Sequence, residues 1–158
     1  MPEEIYQVQP IQDSSIEALR KLVEELNQRL FSISKRLHNK PTFYPRGDLT
    51  FADFTEDDLT TDGNWHVLDL STIITSDNPF LVHISMHIHD NASGETIELR
   101  PYGTSGAYNR FQLHTQVANA EIDTVALLAI DSRKRVEYRV TDATIDHIEL
   151  IVTGWWAE

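Results

Sequence analysis

The sequence predicts a mainly β protein: an N-terminal arm and coiled-coil helix, then an antiparallel β-sandwich or jelly roll, assembled as a trimer. Three observations point there. Apolar residues recur at alternating steps of three and four between Ile16 and Leu37. From Trp65 onward the apolar period changes to two. No second helical pattern follows, which argues against an α/β fold.

Residues 1–13 form the arm, in which Ile5, Tyr6, Val8 and Ile11 lie in a stretch with Pro2 and Pro10. Such a segment is either a frayed terminus or a docking arm that orders on a larger partner. The coiled-coil helix is expected over 14–38. Ser14-Ser15-Ile16-Glu17 has the form of a capping box, with the Ser14 hydroxyl serving the first turn and Glu17 reaching back. Ile16, Val23, Leu30 and Leu37 then fall at a positions and Leu19, Leu26 and Ile33 at d positions. This set lacks the β-branched a and Leu d rule of dimers, so a trimer is preferred. Leu22 and Phe31 widen the stripe and keep open a helix lying on a globular domain.

Residues 39–63 carry Pro41, Pro45, Gly47 and Gly63 as breakers, and are too long for an idle loop. They read as an extended neck, with Phe43, Tyr44, Phe51 and Phe54 packed against neighbours and Glu56, Asp57 and Asp58 in water. Arg46-Gly47-Asp48 matches an integrin-binding tripeptide by letters only, a coincidence expected of any three residues. In residues 64–158, strands are expected at 65–70, 80–89, 96–100, 111–118, 124–130, 135–140 and 147–155. The stretches 90–94, 101–106 and 131–134 have turn chemistry. Seven short strands at this spacing imply the sandwich or jelly roll.

The expected strand LVHISMHIHD places Val82, Ile84, Met86 and Ile88 on one face and His83, Ser85, His87 and His89 on the other. His87 and His89 would have Cα atoms about 6.6 Å apart, near enough to share an ion, while His83 and His89 would be about 20 Å apart. One strand therefore offers two ligands, and a complete site needs a second strand or further copies. The other readings are a solvated face or a polar subunit contact that loosens in acid. The expectation is no metal and no cofactor.

Composition narrows the function classes. With 158 residues, 41% of them hydrophobic, the chain can bury a working core. It has no cysteine, so disulfides, thiolate metal sites and cysteine nucleophiles are excluded. The net charge of −12 is uneven: Met1 to Arg46 holds seven basic and six acidic residues, Gly47 to Asp62 six acidic and none basic, and the remainder six basic and thirteen acidic. A phosphate backbone would be repelled by most of this surface. Arg133, Lys134 and Arg135 are the one basic cluster and sit in an expected turn, so no nucleic-acid partner is expected. Neither a signal peptide nor a membrane span is legible, and a soluble protein made in the cytoplasm is expected.

The helix IEALRKLVEELNQRL, the strand pair TVALLAIDSRKRVEYRV and the closing IELIVTGWW give the chain a layout that resembles small trimeric virion structural proteins of tailed bacteriophages. That group includes capsid cement or decoration proteins, head fibres and short tail fibres. The resemblance implies a virion protein, assembled in the host cytoplasm, whose arm docks on the major capsid protein or another virion protein while the β domains face outward. It transfers no functional residue.

A carbohydrate-binding sandwich is the alternative, with Tyr102, Tyr108 and Asn109 presented by the loop PYGTSGAYNR to a sugar such as a host surface glycan. The plainer reading of those tyrosines is padding at the end of a sheet. Enzymatic activity is not expected, because no nucleophile elbow, phosphate loop or zinc-protease helix occurs; Asp142 and Asp146 near His147 have no fixed geometry in sequence.

Overall fold

The protein is described by a computed structural model over residues 13–38, 40–47, 49–141 and 145–158. The chain divides into two compact units, which separate between Lys40 and Pro41.

The first unit contains one helix, α1 (Asp13–His38). Its 26 residues include five Leu, three Glu and three Arg and contain no Gly or Pro, so nothing interrupts the hydrogen-bond ladder. The helix begins one residue before the expected Ser14, whose side chain lies outside the described residues. At about 1.5 Å per residue it is about 39 Å long.

The second unit is two antiparallel sheets. In chain order the strands are β1 (Thr42–Pro45), β2 (Phe54–Thr55), β3 (His66–Asp69), β4 (Pro79–His89), β5 (Thr96–Pro101), β6 (Phe111–His114), β7 (Ile122–Ala129), β8 (Arg135–Val140) and β9 (His147–Ala157). One sheet runs β1-β9-β4-β7, with β2 also paired to β9; the other runs β3-β8-β5-β6. Every expected strand is present. The one expected over 111–118 stops at His114, where the chain turns through Asn119 at φ 58.

Alternation along β4 follows the sequence pattern: Val82, Ile84, Met86 and Ile88 are wholly buried, and His83, Ser85, His87 and His89 are half-buried on the other face. The buried row joins Ile148, Leu150 and Val152 of β9, and Ile97, Leu99, Val136 and Val140 of the other sheet, in one hydrophobic cluster. A single core therefore draws on both sheets, as a mostly β unit needs.

The stretch 39–63 is not a separate neck. Its first strand pairs with the end of β9, Tyr44 opposite Trp155, and Phe54 pairs with Leu150. Two carboxylates do structural work there, one of them Glu56, expected in water. Asp53 accepts from Val152 N–H at 2.7 Å and pairs with Arg46, and Glu56 accepts from Ile148 N–H at 3.0 Å. An acidic segment thus covers backbone donors of β9 that β2 is too short to reach, leaving Asp57 and Asp58 exposed. Arg46 is held by Asp53, so it is not presented for integrin-type recognition.

A bulge in β9 sets the position of its end. His83 pairs with Gly154 and Ile84 with Val152, which makes Thr153 the extra residue. Thr153 Oγ1 donates to the His83 carbonyl at 3.2 Å and its hydroxyl also meets the His83 ring. Beyond the bulge, Trp155 is buried and its indole N–H donates to Ser76 Oγ at 2.7 Å. Trp156 lies on the opposite face, 4.5 Å from the Phe43 ring.

Candidate functional site

Four features of the described residues carry the functional chemistry, and the first is the stripe on α1. Ile16, Leu19, Val23, Leu26, Leu30 and Ile33, all expected at a and d positions, are 43–63% exposed, and Leu22 and Phe31 extend the stripe at 54% and 74%. A helix with this much uncovered apolar surface is incomplete by itself, because the burial that stabilises an amphipathic helix is missing. The backbone of Leu37 continues the helix, while its side chain lies outside the described residues. The arm residues Ile5, Tyr6, Val8 and Ile11 also lie outside them.

The second feature is the outer face of the β1-β9-β4-β7 sheet. Register places His87 between Asp123 of β7 and Glu149 of β9, and His89 opposite His147. His147 sits between two carboxylates, 3.4 Å from Glu56 and 3.5 Å from Glu149. Burial pushes the Glu56 carboxyl up, but the Ile148 N–H and the nearby His147 outweigh it and hold the group below its usual value. Among the described residues no group of three or more His, Asp or Glu side chains is arranged to hold a metal ion. Ser85 Oγ lies 3.2 Å from His87 Nε2, the beginning of a nucleophile-base pair. A catalytic pair of this kind would also need a third group to orient the imidazole, and the register neighbours of His87 that carry carboxylates are Asp123 and Glu149. Asp146 accepts from Asn91 N–H at 3.0 Å, and Asp142 lies outside the described residues.

Further along the same face the chemistry turns apolar. Val125 and Leu127 of β7 are 45% and 43% exposed, beside half-buried Leu81, Ile151 and Trp156.

The third feature is a groove of 490 Å³ between the loop after β5 and the C-terminal half of β7. Tyr108, Asn109, Arg110 and Phe111 line one wall, and Leu127 and Ala129 the other. Tyr108 is 99% exposed. Tyr102, grouped with it in the sequence reading, is drawn away: the Arg135 guanidinium stacks on its ring at 3.7 Å.

The fourth feature, which sequence reasoning missed, is a charged ladder on the other sheet. Glu98 is 1% exposed, pairs with Arg139 and lies 2.9 Å from Arg110. Arg100 bonds Glu137 at 2.6 Å and stacks over Trp65 at 3.8 Å. Period-two spacing of Glu98 and Arg100, and of Arg135, Glu137 and Arg139, was its only signal in sequence. Arg139 thus hydrogen-bonds one oxygen of the buried carboxylate, while the other, Oε1, faces Arg110 as an ion pair without a hydrogen bond, so the burial is matched in charge but not fully in hydrogen bonding. The basic cluster is similarly occupied: Asp131 binds Arg135 at 2.6 Å and Lys134 donates to the Ile74 carbonyl at 2.8 Å.

No helix among the described residues is long and apolar enough to cross a membrane. No protein-family model matches the chain, and no curated protein matches it.

Proposed function

We propose that this is a non-enzymatic structural protein of a phage particle, a capsid decoration, cement or fibre protein held as a trimer by α1. Its arm docks on the major capsid protein or another virion protein, and its β domains, closed as sandwiches, face outward. The observation that carries the reading is the heptad stripe of α1, whose residues from Ile16 to Ile33 are 43–63% exposed. Charge placement supports it. Residues 1–40 hold six basic and six acidic residues, whereas residues 41–158 hold seven basic and nineteen acidic, so the whole −12 belongs to the β unit. An N-terminal unit without net charge can gather copies that their acidic domains would otherwise keep apart. Three linked domains then act at high effective concentration on a repetitive surface.

The test is the solution mass of the intact chain beside a chain beginning at Pro41, so that β1 and β2 are kept. Masses in multiples of three for the intact chain, lost in the shorter one, support the reading. A shorter chain that still assembles in threes gives the trimer contact to the β unit and overturns the role of α1.

The groove beside Tyr108 favours a second reading, a carbohydrate-binding domain whose exposed ring and Asn109 amide meet a sugar. Binding on a glycan array that is lost in Tyr108→Ala supports it, and an array without signal removes it.

A further inference from the structure

The two sheets present unequal edges. Three edge strands, β1, β3 and β6, are four residues long, and β1 ends in Pro45; short edges of this kind offer little to another chain. The fourth, β7, is eight residues long, IDTVALLA, with no Pro, Gly or Lys. Its pairing with β4 runs from Leu81–Ala129 to Ile88–Ile122 without a register shift, so no bulge bends it out of reach. Its far side has no strand partner among the described residues. On its outer face Val125 and Leu127 stand nearly half exposed. Asp123 puts one charge on this edge and residues 108–111 lie across the groove from its C-terminal half, but no Pro, Lys or bulge protects the one edge long enough to need it.

We propose that β7 pairs antiparallel with β7 of a second copy of this chain about a two-fold axis at Ala126, joining two β1-β9-β4-β7 sheets into one. The strand is self-complementary in that register. Val125 falls opposite Leu127 of the second copy, and Leu127 opposite its Val125, giving two apolar cross-strand pairs on the outer face. Asp123, the one charged residue of the strand, falls opposite Ala129 of the second copy. That position borders the groove that Arg110, itself paired with Glu98, also lines, and it keeps each carboxylate away from its own symmetry mate. A two-fold centred on Val125 instead would set Asp123 against Leu127 and lose one of these matches. The pairing also satisfies the outward backbone groups of both edges.

A two-fold contact cannot close within three chains, so it links one trimer to another. This inference goes beyond the trimer reading and stands on a different element of the fold.

The chain has no cysteine, which makes a register-specific test clean. Val125→Cys and Leu127→Cys variants of the full chain are oxidised separately and as a mixture. Directly opposed residues have Cα atoms about 4.5–5.5 Å apart, and diagonal ones about 7–8 Å, beyond disulfide reach. The mixture is therefore expected to give severalfold more cross-linked product than either variant alone. In parallel, Leu127→Lys should halve the solution mass of the intact protein, from six chains to three. If α1 does not trimerise the chain, the same substitution takes two chains to one, so the two readings fail separately. Equal cross-linking in mixture and single variants overturns the pairing, as does a mass indifferent to Leu127→Lys. A halved mass without the register-specific cross-link overturns it too, and assigns the edge to a different surface.

Discussion

Gly154 is fixed by what lies over it. A Cβ built there would come within 2.6 Å of the Phe43 ring and 2.8 Å of the Tyr44 carbonyl oxygen, and the latter is backbone that cannot rotate aside. Gly154→Ala is therefore expected to cost about 1–3 kcal/mol, the range of overpacking, read as a lower urea midpoint with unchanged slope. An unchanged midpoint would mean that β1 is not seated on β9 in this way. Asp62 offers a second residue-scale check. The hydrogen bond with His66, at 2.7 Å, and then the Asn64 N–H lower its carboxyl pKa from 3.8 to about 2. Because the folded value is depressed, its contribution to stability is fully present above 3.8 and is lost as pH falls toward 2. Carboxyl titration by NMR should show this low value, and His66→Ala should return it toward 3.8. At this scale the inward residues of β4 were legible, because strict alternation leaves one face for the core. The partners of Gly154 and Asp62 were not. The first depends on a strand 110 positions away, and the second on how the chain folds back over four residues.

The elements divide in the same way. α1 and seven strands followed from period, and the Asp131 turn from its chemistry: Asp131 Oδ1 accepts from Arg133 N–H and Arg135 N–H while Lys134 adopts φ 63. The first two strands did not, since TFYP and FT are too short to show a period and are held by long-range pairing with β9. Reading Asn39–Asn64 as a neck followed from its prolines and charges; what overrides them is the supply of unpaired β9 donors that Asp53 and Glu56 satisfy. For α1 the expected experiment is Leu26→Asp. Leu26 is 50% exposed, so a carboxylate there costs an isolated helix little, but in a coiled coil it is buried and unpaired. Full-length Leu26→Asp should lose both its self-association and most of its helical circular dichroism signal, while the β unit stays folded. Retention of helix signal and mass together would mean that the stripe is not a chain-chain contact.

In the molecule as a whole, two units with different chemistry share one chain: an N-terminal unit without net charge whose helix has exposed apolar residues, and an acidic β unit with one hydrophobic core and one long edge strand. The division was legible because helix and sheet differ in period. The open edge of β7 was not, since strand order is a property of pairing and not of any one segment. The central claim is that α1 counts chains, and it is tested most directly with the β7 edge blocked. The Leu127→Lys form of the intact 18.1 kDa chain is measured by light scattering across a dilution series. A mass of three chains is expected, persisting until dissociation at high dilution. A single chain at every concentration would contradict it.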